Sequence, residues 1–280
     1  MARPEVIRIG SGQGFWGDRL DAPIEQVRGG PIDYLMMDYL AEVTMSILQK
    51  QKSRDPSQGY ARDFVPLMQE LFPDLLAKGI RVVTNAGGVN LEACRDALRD
   101  AARKAGVSGR ARIGVVKGDD MLDRLEDLIG AGHELRHMET GAPLTDVLDR
   151  VASANAYIGA APILAALEQD ATVVVTGRST DTALTYAPMM HAFGWAPDDW
   201  DRLVWWPVIS TSAVPRPAAG TASSTGRACP TWRGSATPSS RPTPTAASWS
   251  PSTRAPAVGS RPLSSRSSSC TRWETPPSTS

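Results

Sequence analysis

Arg178 stands just past an apolar run, Thr172–Val175, and three residues before Asp181. A guanidinium in that position can hold a carboxylate or phosphate with two parallel hydrogen bonds. The structural alternative is an Arg178–Asp181 ion pair across one helical turn, worth little if exposed. Thr176 and Gly177 complete the same turn and belong to the same candidate ligand loop. Asp38, Asp119, Asp120 and Asp181 can supply a general base, or oxygen ligands to a hard cation; for Asp119 and Asp120 a solvated turn is the favoured reading. His191 can act as a general acid or base near Asp181, against the plainer reading of a helix-surface histidine. Asp181, Asp38 and His191 are therefore the catalytic candidates. A zinc hydrolase is not expected, because His133 and His137 are four apart but lack the glutamate of an HExxH helix, and no metal site is assigned.

Two glycine segments can bring backbone to a ligand. In Gly10-Ser11-Gly12-Gln13-Gly14 the backbone amides can face a phosphate or carboxylate, or the glycines can simply make a tight turn. Phe15 occupies the sixth position of a would-be GxGxxG, and no Lys-Ser or Lys-Thr follows, so neither a dinucleotide fingerprint nor a P-loop is present. Ser11 lacks the strained Gly-x-Ser-x-Gly elbow of a hydrolase nucleophile. Asn85-Ala86-Gly87-Gly88-Val89-Asn90 places two amides and a glycine pair at a helix start. That arrangement suits an oxyanion or a thioester carbonyl, or else a helix cap with a turn. Cys94, one turn on, reads as a core thiol rather than a nucleophile.

The elements that must position these residues alternate. Strands are expected at Glu5–Ile9, Tyr34–Met37, Ile80–Thr84, Ile113–Val116 and Thr172–Val175. Helices are expected over 40–51, from the spacing of Leu40, Val43, Thr44 and Ile47, and over 91–105 with Asn90 as N-cap, then 155–169 and 181–190. Such alternation predicts an α/β fold, a doubly wound, mostly parallel sheet with helices on both faces. The loops at the carboxyl ends of its strands should converge on one crevice.

Composition divides the chain into residues 1–204 and 205–280. The second part holds 12 of the 22 prolines, 18 serines, 11 threonines and 8 arginines, with no lysine, no aspartate and one glutamate. Taking its charges from the 30 basic and 30 acidic residues of the chain leaves 22 and 29, a body at −7. That balance argues against a nucleic-acid partner. With three cysteines, no secretory run at the N-terminus and no apolar stretch long enough to span a bilayer, the expected setting is cytoplasmic, away from membranes. The tail is expected to be disordered, since it contains one leucine, one isoleucine and no phenylalanine or methionine. Moving each codon one base back also turns the tail into ordinary protein sequence: Pro207–Thr221 becomes AGHLDECGAQASGGN, and later stretches give TKHPGTGG and AEQLLYEMGDP. A frame-shifted translation is the expected origin of residues 205–280.

Arg8-Ile9-Gly10-Ser11-Gly12-Gln13-Gly14-Phe15, Asp38-Tyr39-Leu40-Ala41-Glu42-Val43-Thr44-Met45 and Thr84-Asn85-Ala86-Gly87-Gly88-Val89-Asn90 carry a family resemblance. Gly118-Asp119-Asp120, Ala154-Asn155-Ala156-Tyr157, Thr176-Gly177-Arg178 and Phe193-Gly194-Trp195 continue it in order. Over residues 5–203 the chain resembles the acyclic terpene utilisation (AtuA) family, departing from it at Leu91, where the family pattern has proline. The resemblance implies catabolism of citronellol- or geraniol-type terpenoids through CoA thioesters, and carries over no residue roles. With it, the expected function is a hydratase, lyase or hydrolase acting on an acyl-CoA intermediate. The alternative is a non-catalytic binding or assembly protein of the same pathway. No cofactor is identified; the CoA thioester is the expected substrate, and a second copy of the chain or a pathway enzyme the expected protein partner. Gly10, Ser11, Gly12, Gly14, Asn85, Gly87, Gly88, Asn90, Asn155, Tyr157, Thr176, Gly177 and Arg178 are the expected substrate-binding residues.

Overall fold

A computed structural model describes residues 4 and 6–199, and the backbone of 270–274. The elements run β1 (Val6–Gln13), α1 (Asp21–Gly29), β2 (Tyr34–Met37), α2 (Glu42–Arg54), α3 (Phe64–Lys78), β3 (Arg81–Thr84), α4 (Leu91–Lys104), β4 (Ile113–Val116), α5 (Leu125–Gly130), α6 (Ala160–Glu168), β5 (Val173–Thr176), α7 (Ala183–Phe193) and β6 (Cys270–Glu274). The sheet order is β4-β5-β3-β2-β1-β6. The first five strands are parallel, and β6 lies antiparallel to β1 along Val6–Gly10. The expected α/β, mostly parallel sheet is thus present. The tail expected to be disordered lies outside the described residues apart from β6.

Helices cover both faces, which is why all four residues of β2 and of β5 are buried. On one face Leu35, Met37, Val82, Val173 and Val175 pack with Phe64, Met68 and Leu71 of α3 and Leu98 of α4. On the other, Ile7, Ile9, Met36, Val83 and Val174 meet Ile163 and Leu167 of α6 and Leu184, Ala187 and Met190 of α7. The chain passes β1, β2 and β3 in spatial sequence, crosses to β4, then returns through α6 to insert β5 between β4 and β3. The helix leaving β3 therefore lies on one face and the helix leaving β5 on the other. Where neighbouring strands diverge in this way their carboxyl ends open a crevice.

Four local assignments change. The helix expected over 155–169 begins only at Ala160, and Asn155 bridges Asp120 instead. β1 continues to Gln13, so Gly10 and Gly12 lie inside a strand rather than in a loop. A Cβ on Gly12 would meet Pro23 Cβ at 2.9 Å and Leu35 Cδ1 at 3.1 Å, and one on Gly10 would collide with Gln26. These glycines let α1 lie against β1. Helices α1, α3 and α5 were not foreseen; Pro73 inside α3 interrupts a pattern whose Phe64, Leu67, Met68, Leu71, Phe72 and Leu75 are all buried. Finally, α2 turns inward on Met45 and Leu48, leaving Val43 and Ile47 71 % and 45 % exposed.

The amino-terminal edge of the sheet holds a separate polar contact. Tyr34 Oη and His191 Nδ1 share a hydrogen bond of 2.7 Å with their rings edge to face. Burial, then the Arg81 charge, lowers the His191 pKa, and burial pushes Tyr34 up to about 12. Unfolded His191 therefore takes up a proton before folded His191 does, so stability is expected to fall as pH drops below roughly 6.5. Thermal melts from about pH 7 to pH 5 check this; His191→Gln should flatten the slope.

Candidate functional site

The ligand loops of the sequence reading meet at the carboxyl ends of β2, β3, β4 and β5. Asp38, at the end of β2, is buried; its Oδ1 accepts from Asn85 Nδ2 at 2.7 Å and from the Leu40 amide at 3.3 Å. Asn85 returns its own Oδ1 to the Tyr39 amide at 2.7 Å. Both polar side chains are thus committed to joining the β2 and β3 loops.

The Asn85–Asn90 loop is a packing device as well. Gly87 N donates to the Thr176 carbonyl, and a Cβ there would stand 2.7 Å from that oxygen and 2.9 Å from Val175 Cγ1. Gly88 has φ +55°, with the Gly59 carbonyl where a side chain would go. Asn90 caps α4 through Oδ1 to the Ala93 amide at 3.4 Å, while Nδ2 donates to the Pro56 and Gln58 carbonyls. The cap-and-turn alternative is the one these bonds describe. Gly87→Ala is expected to cost about 1–3 kcal/mol by overpacking, read as a lower denaturation midpoint.

Arg178 is the centre of the arrangement. It leaves β5, is 7 % exposed, and reaches across the end of β3 to donate from Nη1 to the Leu40 carbonyl at 2.7 Å. Its Nη2 donates to Glu42 Oε1 at 3.3 Å, and Asp181 Oδ1 lies 3.6 Å from Nη1. The Tyr157 ring covers it, with Cζ 4.3 Å from the ring centroid, and the Tyr157 hydroxyl donates to Glu42. Burial opposes the Arg178 charge, but Tyr157, Asp181 and Glu42 together outweigh it and keep the pKa raised. The Tyr157 hydrogen bond, ahead of the Arg178 charge, holds the Glu42 carboxyl below its usual range.

Beneath Arg178 lies Asp119, where a solvated turn is the favoured sequence reading. It is 3 % exposed instead, its Oδ2 accepting from the Arg178 amide at 2.8 Å and from Asn155 Nδ2 at 3.1 Å. Its carboxyl packs against Gly177, where no Cβ could fit, and burial raises its pKa. Asp120 does make the expected turn, accepting from the Leu122 amide at 3.0 Å. Thr176 is fully buried, with Oγ1 donating to the Gly177 carbonyl.

Asp38, Asn85, Gly87, Gly88, Asn155, Tyr157, Thr176, Gly177, Arg178 and Asp181 are therefore gathered around one end of the sheet. Gly14, which follows the carboxyl end of β1, is at that end too, since the Asp38 amide donates to the Gln13 carbonyl at 3.0 Å; His191 is not. His191 is at the opposite edge beside Tyr34, because Tyr34 begins the strand that Asp38 follows. Gly10, Ser11 and Gly12 lie within β1, where the Ser11 carbonyl accepts from Gln26 Nε2 at 2.6 Å. Gly14 donates its amide to Asp18 Oδ2 at 3.1 Å, so an internal carboxylate already takes the group expected to face an anion. Cys94 is buried, with its thiol pushed up to about 12 by burial, which leaves it protonated and inert. Sequence reasoning overlooked Glu42 and the Leu40 carbonyl. Their signal was only the acidic residue opening α2; the contact with Arg178 spans 136 residues.

Among the described residues, no group of three or more His, Cys, Asp or Glu side chains could hold a metal ion, and no helix is long and apolar enough to cross a membrane. The family model described as acyclic terpene utilisation family protein AtuA matches residues 7–205. The chain belongs to that family. Its match covers the five parallel strands from Ile7 onward and stops at residue 205, where the composition changes. No curated protein matches the chain, and no solved structure does. Family membership implies a part in acyclic terpene utilisation.

Proposed function

We propose that this AtuA family protein acts in the cytoplasm on a CoA-linked intermediate of citronellol- or geraniol-type catabolism, performing hydration, lyase or hydrolytic chemistry. The observation that carries the reading is Arg178, a buried and charged guanidinium at the crevice between β3 and β5. A group of that kind can anchor an anion of the substrate and fix its orientation. Asp181 stands beside it with its side chain 38 % exposed, open to a substrate and in reach to move a proton. Asp38, bonded to Asn85, serves to hold the β2 and β3 loops rather than to take up a proton from the substrate.

A second reading, a non-catalytic binding or assembly protein of the pathway, draws on the same geometry. Asp38, Asn85, Asn90 and Asn155 are all engaged in bonds that build the loops. Asp181→Asn separates the two readings. For an enzyme, kcat should fall by about a hundredfold or more with binding retained; for a binding protein, affinity for the acyl-CoA is the only quantity to follow. Arg178→Lys should weaken binding in both, because an ammonium cannot reproduce the fork of the guanidinium. Unchanged binding in Arg178→Lys and Arg178→Gln would sink the anchor assignment.

A further inference from the structure

We propose that the Arg178 site is built for a single carboxylate, and that Glu42 is an internal carboxylate occupying the place of the ligand's head group. The inference rests on Arg178 being the anion anchor and specifies which anion it takes and what stands in its way. The two partners differ in character. The Arg178 side chain is 8 % exposed and the Glu42 side chain 74 %. One arm of the guanidinium is spent on the Leu40 carbonyl, and Nη2 is the arm turned to Glu42. Glu42 opens α2, and when it swings away its charge returns to water at little cost. Removing the guanidinium from water without a partner is the costly alternative. The stable exchange is therefore one carboxylate for another.

Charge decides between a carboxylate and a phosphate. Exchanging Glu42 for a monocarboxylate leaves the local balance as it is. A phosphate dianion would add a second negative charge next to Asp181, 3.6 Å from Nη1, and near the buried Asp119 carboxyl, with one guanidinium to offset them. The surroundings also suit an apolar body behind the head group. Val43 and Ile47 succeed Glu42 on α2 one helical turn apart with their side chains exposed, and the Tyr157 ring is half-exposed over Arg178. An alkyl body leaving Arg178 along this rim would cover apolar surface that otherwise faces water. The ligand class is thus a monocarboxylate on an apolar chain: a free acid, or an acyl group with a carboxylate of its own, rather than the phosphates of CoA.

Calorimetric titration of the full chain with octanoate, octyl phosphate and 1-octanol tests this. Octanoate should bind, octyl phosphate more weakly, and octanol not measurably. Glu42→Gln should bind octanoate roughly fivefold more tightly, the worth of releasing one exposed ion pair. Tyr157→Phe, which removes only the hydroxyl holding Glu42, should shift it in the same direction by less. Equal octanoate affinity in wild type and Glu42→Gln, or a preference for octyl phosphate, overturns the proposal; if Arg178→Gln still abolishes binding, the anchor reading survives. Binding untouched by Arg178→Gln, or no binding of either anion in any variant, removes both.

Discussion

Asp119→Ala is expected to lower folding stability by about 3 kcal/mol and to abolish ligand binding at the crevice. The carboxylate accepts from the Arg178 amide and from Asn155, so its removal leaves a buried and a half-buried donor without an acceptor and opens a void over Gly177. Because the Arg178 backbone is fixed by this bond, its side chain should lose its line to the Leu40 carbonyl. Asp119→Asn keeps an acceptor oxygen in the place of Oδ2, which takes both bonds, and should cost about 1 kcal/mol or less, from weakening of the charge-assisted bonds. The pH dependence gives an independent check. Burial raises the folded Asp119 pKa, so its contribution is fully present below the ordinary carboxylate value and is lost as pH rises through the folded one. Its slope is opposite to that of His191. Denaturant midpoints across both ranges should show Asp119→Asn losing the acidic slope and His191→Gln the near-neutral one; a small loss in Asp119→Ala would show that the carboxylate does not hold the loops.

Restoring the reading frame between the codons for Arg202 and Pro207 is expected to change the protein more than any point substitution. We propose that residues 205–280 are translated out of frame, because their composition, the ordered re-reading of three segments and the end of the family match at 205 coincide. A corrected chain would regain a segment reading as AGHL, ECGAQ and TKHPGTGG, with apolar residues able to pack on the body. Expressed side by side, the corrected protein should melt in a sharper transition at higher temperature than the present sequence, since apolar surface left without its cover weakens the fold and favours association. Nucleotide sequence across these codons comes first. A clean frame there, or an equally cooperative melt for both proteins, would remove the proposal.

The sequence by itself determined the layered fold. Short β-branched runs alternating with amphipathic segments admit few arrangements other than a covered parallel sheet, and Tyr34–Met37 and Ile113–Val116 form at the expected residues. Asn90 as a cap was legible because its position before Leu91 dictates a local bond. Turn chemistry and strand periodicity are properties of neighbours in the chain. What lay beyond sequence were contacts between distant segments. Gly10 and Gly12 look like a ligand loop until α1 is seen lying on them, and Val43 and Ile47 look like core until Met45 and Leu48 take that role. Asp119 passes for a turn residue because the donors that bury it, Arg178 and Asn155, are 59 and 36 residues away. His191 sits close in sequence to Asp181 yet at the far edge of the sheet, since helix α7 carries the chain from the carboxyl ends of the strands back to their beginnings. Only the strand order, with β5 set between β3 and β4, brings Arg178 over the end of β3 to Leu40 and Glu42.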